Sequence, residues 1–239
     1  MSHPHAVVQR LSRRVACHQA LHDPAIEPRN RLRWLPELRR WQAERLQRSF
    51  ARFLSDPRRR AAAEFFLTDV YGDRDFARRD ADIVRVIPMM QKLLPTRLLA
   101  TIASAIELGA LSHALDLRMA EALQRLAPRR RKLDQDLYAR AYRAVALPRL
   151  RGRQIALIEE VGGGFGRALK ARGVAALLAF SRGPARLAGL GELQGFLERG
   201  YAAFEQLGDV EGFVAEIGND EREAMRRLFE GHPQPFAAD

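Results

Sequence analysis

Between about Pro95 and Ala127, Glu107, Arg118, Glu121 and Arg125 fall within ~60° of one another at about 100° per residue, and most of the remainder is apolar or small. A helix with so narrow a charged stripe must be covered on most of its sides. The pattern therefore predicts a long central helix at about 95–127 inside a multi-helix bundle. Glu107 also interrupts the weakly polar run from Leu98 to Leu115, so a buried helix is expected there rather than a membrane span, and no membrane partner.

Helical spacing recurs on both sides of this segment. Pro36 suits a first helical position and is followed by Leu38, Trp41, Leu46, Phe50 and Phe53. Pro57 restarts a helix through Ala61, Phe65 and Phe66 that stops near Gly72. Phe76, Ile83, Val84, Ile87 and Leu94 form another pattern, which Pro88 should kink. Further helices are read over 133–147, 155–169, 187–204 and 210–229. Period-two runs of Val, Ile and Thr are missing, and only 8% of residues are aromatic. The fold class is all-α: an N-terminal helical arm at 1–27, one bundle domain at 28–231 and a flexible tail at 232–239. Cys17 is the single cysteine, which rules out an internal disulfide, and no apolar segment follows Ser12-Arg13-Arg14. The expected location is the cytoplasm.

The net charge of +11 is uneven: +9 over residues 1–60, −1 over 61–128, +10 over 129–186 and −7 from 187 onward. Two basic blocks invite polyanions such as nucleic acid. Yet all of the 40 basic residues except Lys92, Lys132 and Lys170 are arginines, a skew that GC-rich coding produces without any binding role. The favoured expectation is that the acidic end folds back and neutralises the arginines.

The stretch Phe65-Phe66-Leu67-Thr68-Asp69-Val70-Tyr71-Gly72-Asp73-Arg74-Asp75-Phe76-Ala77-Arg78-Arg79-Asp80 resembles a motif of an uncharacterised family of bacterial all-helical proteins. A weaker likeness continues through Leu94-Pro95 to Leu115-Asp116. The resemblance implies a helical fold and carries no activity with it. Read physically, Asp69, Asp73, Asp75 and Asp80 approach a calcium loop, but Tyr71 and Arg74 stand where that loop needs a ligand and a glycine. Acids at a helix start, with Asp75–Arg79 and Arg78–Asp82 as i,i+4 pairs, explain the stretch better. Gly162-Gly163-Gly164-Phe165-Gly166 fits neither a P-loop nor a dinucleotide fingerprint, and helical spacing runs straight through it. A helix packed very close to a neighbour is expected.

His113 is placed on the apolar side of the central helix, with Asp116 one turn onward. An inward His–Asp pair suits acid/base chemistry or a ligand role, and equally a satisfied polar pair in a core. The other histidines lie in terminal segments, so metal and haem sites lack their partners, and no cofactor is assigned. Arg39, Arg40, Arg45, Arg151 and Arg153 are the anion-binding candidates. Leu35-Pro36-Glu37-Leu38-Arg39-Arg40-Trp41-Gln42 and Leu147-Pro148-Arg149-Leu150-Arg151-Gly152-Arg153-Gln154 share Leu-Pro-x-Leu-Arg-x-x-Gln, which raises a cryptic duplication with an offset of 112 residues.

Three functions follow from these features. The leading one is a partner- or ligand-binding module without catalytic activity, its partner a protein, a small ligand or a second copy. The second is a helical enzyme or cofactor binder with a polar pocket near His113 and Asp116. The third is nucleic-acid binding without base specificity.

Overall fold

In chain order the computed structural model has α1 (Pro4–His22), a 3₁₀ turn (Pro28–Arg31), α2 (Trp34–Ser49), α3 (Ala51–Ser55) and α4 (Arg60–Phe65), which runs on as a π turn (Phe66–Val70). It continues with α5 (Thr96–Leu126), α6 (Gln135–Val145), α7 (Pro148–Leu169), α8 (Val174–Leu187), α9 (Gly191–Glu205) and α10 (Val210–Glu230). The structure describes residues 4–70, 96–169, 173–187 and 191–237, and among them there is no strand. The pattern at Phe76–Leu94 with its Pro88, the acids Asp73, Asp75 and Asp80, and the pairs Asp75–Arg79 and Arg78–Asp82 lie outside the described residues.

The central helix is α5, packed by α1, α2, α6 and α7, while α7 packs in turn against α10. By length and composition Leu98–Leu126 is apolar enough to cross a membrane. In this fold its apolar sides meet other helices: Leu117, Met119 and Leu123 are fully buried with Trp34, Leu38 and Leu137. A second core gathers Phe50, Phe53, Phe65 and Phe66 against Phe204 and Phe213, and a third joins Leu11 and Val15 of α1 to Leu99, Ala103 and Ile106 of α5. Each fully buried side chain of this size contributes roughly 1.5–3 kcal/mol of transfer free energy, so these faces hold the bundle together.

Chain signals set several helix ends. Asp134 caps α6 by accepting from the Leu137 N–H at 3.0 Å, and Asp209 caps α10 by accepting from the Gly212 N–H at 2.9 Å. Gly231 closes α10 at φ 76°, a left-handed conformation that glycine adopts without a Cβ clash.

The glycines of α7 do what close packing requires. A Cβ at Gly162 would stand 2.4 Å from Val214 Cγ2 of α10, and one at Gly164 would stand 2.4 Å from Thr101 of α5. Helix α7 passes unbroken through them and touches both neighbours at once. The two segments that share the Leu-Pro pattern differ in their helix breaks. In the first segment α2 ends at Ser49 and α3 and α4 follow as short pieces, whereas α7 runs straight through the equivalent positions. Helix α8 lies where spacing predicted none, because Gly183 and Pro184 break its pattern.

The acidic end meets the first basic block. Arg52 pairs with Asp220 at 2.8 Å, Arg59 with Glu216 at 2.8 Å, and Arg45 with Glu221 at 2.5 Å. In the stretch 232–239, read from sequence as a flexible tail, Phe236 lies against Trp41 and Tyr138 at ring-centroid distances of 5.7 and 5.9 Å.

Candidate functional site

His113 sits where α1, the 3₁₀ turn and α2 converge on α5, and it is 4% exposed. Arg39 has only donors, so its Nη2, 2.8 Å away, donates to His113 Nδ1. The ring proton is thereby assigned to Nε2, which donates to the Leu21 carbonyl at 3.1 Å and to Asn30 Oδ1 at 2.9 Å. Asn30 is oriented by its own amide, which donates to the carbonyls of Leu21 and Glu27, both at 2.9 Å. His22 stacks on His113 with centroids 3.9 Å apart, and His18 leans on His22 at 4.3 Å. Burial, then His22 and Arg39, push the His113 imidazole down from 6.5 to about 3. With both nitrogens engaged and the ring neutral, His113 is suited to hold three segments on α5.

Asp116 faces a different partner. Gln42 Nε2 donates to its Oδ1 at 3.1 Å. Burial raises its carboxyl above the ordinary range, opposed by the Gln42 hydrogen bond and by the charges of Arg151 and Arg39. His113 and Asp116 therefore do not form the pair their spacing suggested. Arg39 and Gln42, one turn apart on α2, serve one each.

Beside Gln42 lies a cavity of about 70 Å³. Gln42 and Arg45 of α2, Tyr138 and Tyr142 of α6, and Arg151, Gln154 and Ile155 of α7 form part of its wall. Glu221, Ala224, Met225 and Leu228 of α10 complete it, with Phe236 at the edge. Two charges there cancel: Arg45 reaches both carboxylate oxygens of Glu221, at 2.5 and 3.2 Å. Arg151 is different. It is 7% exposed, stands over the Tyr142 ring at 4.6 Å and donates through Nη1 to Gln154 Oε1 at 3.3 Å. Its Nη2 is buried without a hydrogen-bond partner, and among the described residues no carboxylate lies within ion-pairing distance.

Of the arginines named from sequence, the fold brings Arg45 and Arg151 to one cavity. Arg39 is bound to His113, Arg40 pairs with Glu37 at the surface, and Arg153 pairs with Glu107 at 2.9 Å and Glu160 at 3.5 Å. Sequence reasoning missed Tyr138, Tyr142, Glu221, Gln42 and Gln154 as site residues. A signal for the glutamines existed in the shared Leu-Pro-x-Leu-Arg-x-x-Gln pattern. Both segments start a helix that presents its glutamine to α5: Gln42 to Asp116, and Gln154 to Ser112 Oγ at 2.8 Å. Ser112 and Asp116 are one turn apart, so the two amides dock on the same side of α5.

Asp69, first of the acids that approach a calcium loop, is 6% exposed and receives Arg199 at 2.6 Å. Among the described residues no group of three or more His, Cys, Asp or Glu side chains is arranged to hold a metal ion.

A family model described as Domain of unknown function (DUF8198) matches residues 21–235. No curated protein and no solved structure matches the chain.

Proposed function

Because the chain belongs to the family of the Domain of unknown function DUF8198, its own geometry carries the functional reading, and we propose that it is a ligand-binding module without catalytic activity whose site is the cavity at Arg151. The observation behind this is the buried guanidinium with an unmatched Nη2 on a cavity wall. Leaving such a donor unsatisfied costs about 1–3 kcal/mol, more for a charged group, which a bound acceptor offsets. The wall also supports binding rather than turnover. Glu221 is committed to Arg45, and burial pushes the Tyr142 phenol above its ordinary range, so neither is poised to move a proton at neutral pH. The cavity lies on the Asp116 side of α5 rather than at His113, which α1 and Asn30 cover.

Ion pairs between α10 and Arg45, Arg52 and Arg59 weaken the case for polyanion binding by the first basic block. The reducing cytoplasm, suited to the exposed thiol of Cys17, is the proposed location.

Native mass spectrometry of gently purified protein tests the reading. A retained small molecule, lost in an Arg151→Met variant that keeps its helical circular dichroism, is the expected result. Bare protein mass, together with no thermal stabilisation by any small solute, contradicts it.

A further inference from the structure

We infer that the occupant of this cavity is a small free monocarboxylate, its oxygens received by Arg151 and its apolar end turned to Met225, Leu228 and Phe236. The inference rests on the reading of the cavity as the ligand site and adds the class of ligand.

Charge decides the first half. The lining holds three ionisable side chains whose charge counts at neutral pH, and the bidentate Arg45–Glu221 pair removes two of them. Arg151 remains, and a guanidinium does not shed its proton in a protein. Asp116, reached through Gln42, feels the Arg151 charge, which opposes the rise that burial gives its carboxyl, but it makes no ion pair with Arg151. One uncompensated positive charge calls for one negative charge. A phosphate or sulfate would bring nearly two and would need more donors than one open guanidinium edge supplies.

Shape and size decide the second half. About 70 Å³ is on the order of five times the probe volume that one water needs, so the space suits a molecule of a few heavy atoms and excludes a nucleotide or a peptide. The amides of Gln42 and Gln154 are already given to Asp116 and Ser112. Met225, Leu228 and Phe236 add apolar side chains to the wall. A flat anionic head on a short apolar body matches a guanidinium set among such apolar side chains.

Isothermal titration of the full chain with acetate, its neutral isostere acetamide, and inorganic phosphate, at constant ionic strength, tests the inference. Acetate should bind saturably, and acetamide and phosphate about tenfold more weakly or not at all, as expected when a charge-assisted hydrogen bond is lost. Arg151→Gln should bring acetate down to the level of acetamide, whereas Arg40→Gln, altering a surface arginine, should leave acetate binding unchanged. The comparison of acetate with acetamide in the unaltered chain decides the matter even if Arg151→Gln fails to fold. Equal binding of acetate and acetamide overturns the carboxylate while leaving the cavity a ligand site. Phosphate binding tighter than acetate overturns it in favour of a larger oxyanion. Binding of none of the three overturns the carboxylate, and the retained-molecule measurement then decides separately whether the cavity holds a ligand at all.

Discussion

The imidazole of His22 lies on that of His113 with ring centroids 3.9 Å apart and planes 19° from parallel. Arg39 closes the other side of His113 through Nδ1, so an added proton on that ring would meet a second imidazole and a fixed guanidinium. The last turn of α1 is thus held to α5 by a contact that requires a neutral ring.

Stability should accordingly fall on acidification. The His113 pKa is about 3 in the fold against 6.5 for the free side chain, so between these values the unfolded chain binds a proton that the folded chain does not. Its contribution is complete above about pH 6.5 and declines as pH drops toward about 3, with about 2 kcal/mol lost by roughly pH 5. Urea unfolding across that range should show the slope in the native protein and a flatter profile in His113→Gln. An identical slope in the variant would assign the effect to other groups.

Asp116 should act with the opposite sign. Its folded pKa is raised, so the folded chain keeps a proton that the unfolded chain releases above about 3.8, and stability falls as pH rises through the folded value. Asp116→Asn preserves the oxygen that accepts from Gln42 and removes the buried ionisation. The variant should have the higher urea midpoint at about pH 7 and no advantage at about pH 4. A lower midpoint at neutral pH would mean that the carboxylate stays charged and serves Arg151 across space.

Two glycines of α7 should respond in opposite directions to alanine. Gly162→Ala drives a methyl to within 2.4 Å of Val214 and should destabilise by about 1–3 kcal/mol through forced displacement of α10. Gly152→Ala meets nothing within 4 Å and should stabilise by up to about 1 kcal/mol through helix propensity. Thermal melts of the two variants check both signs.

The Arg45–Glu221 pair should matter more than its surface counterparts. Its side chains are 11% and 22% exposed, against 54% and 56% for Arg226 and Glu230. Glu221→Gln should cost about 2 kcal/mol by loosening a charge-assisted bidentate contact on the cavity wall. Glu230→Gln should change stability by less than about 1 kcal/mol. Comparable losses at the two positions would place the cavity wall in a far wetter setting than its burial indicates.

Local spacing was enough to read the bundle. Helices α5, α6, α7 and α10 fall close to where the apolar rows and Leu-Pro starts put them, because side chains three and four residues apart share a face whatever the rest of the chain does. The same rule put His113 inward. Spacing along the chain carries no information about which charges meet across the fold. Arg45 is neutralised by a carboxylate 176 residues away, and His113 stacks with a ring on α1, in the segment read from sequence as an N-terminal helical arm. Among the described residues Arg151 makes no ion pair, and the acids of α10 turn to α2, α3 and the start of α4. Helix formation follows from neighbours in sequence, whereas the cavity and the buried guanidinium on its wall follow from which helices pack together, and that only the tertiary structure decided.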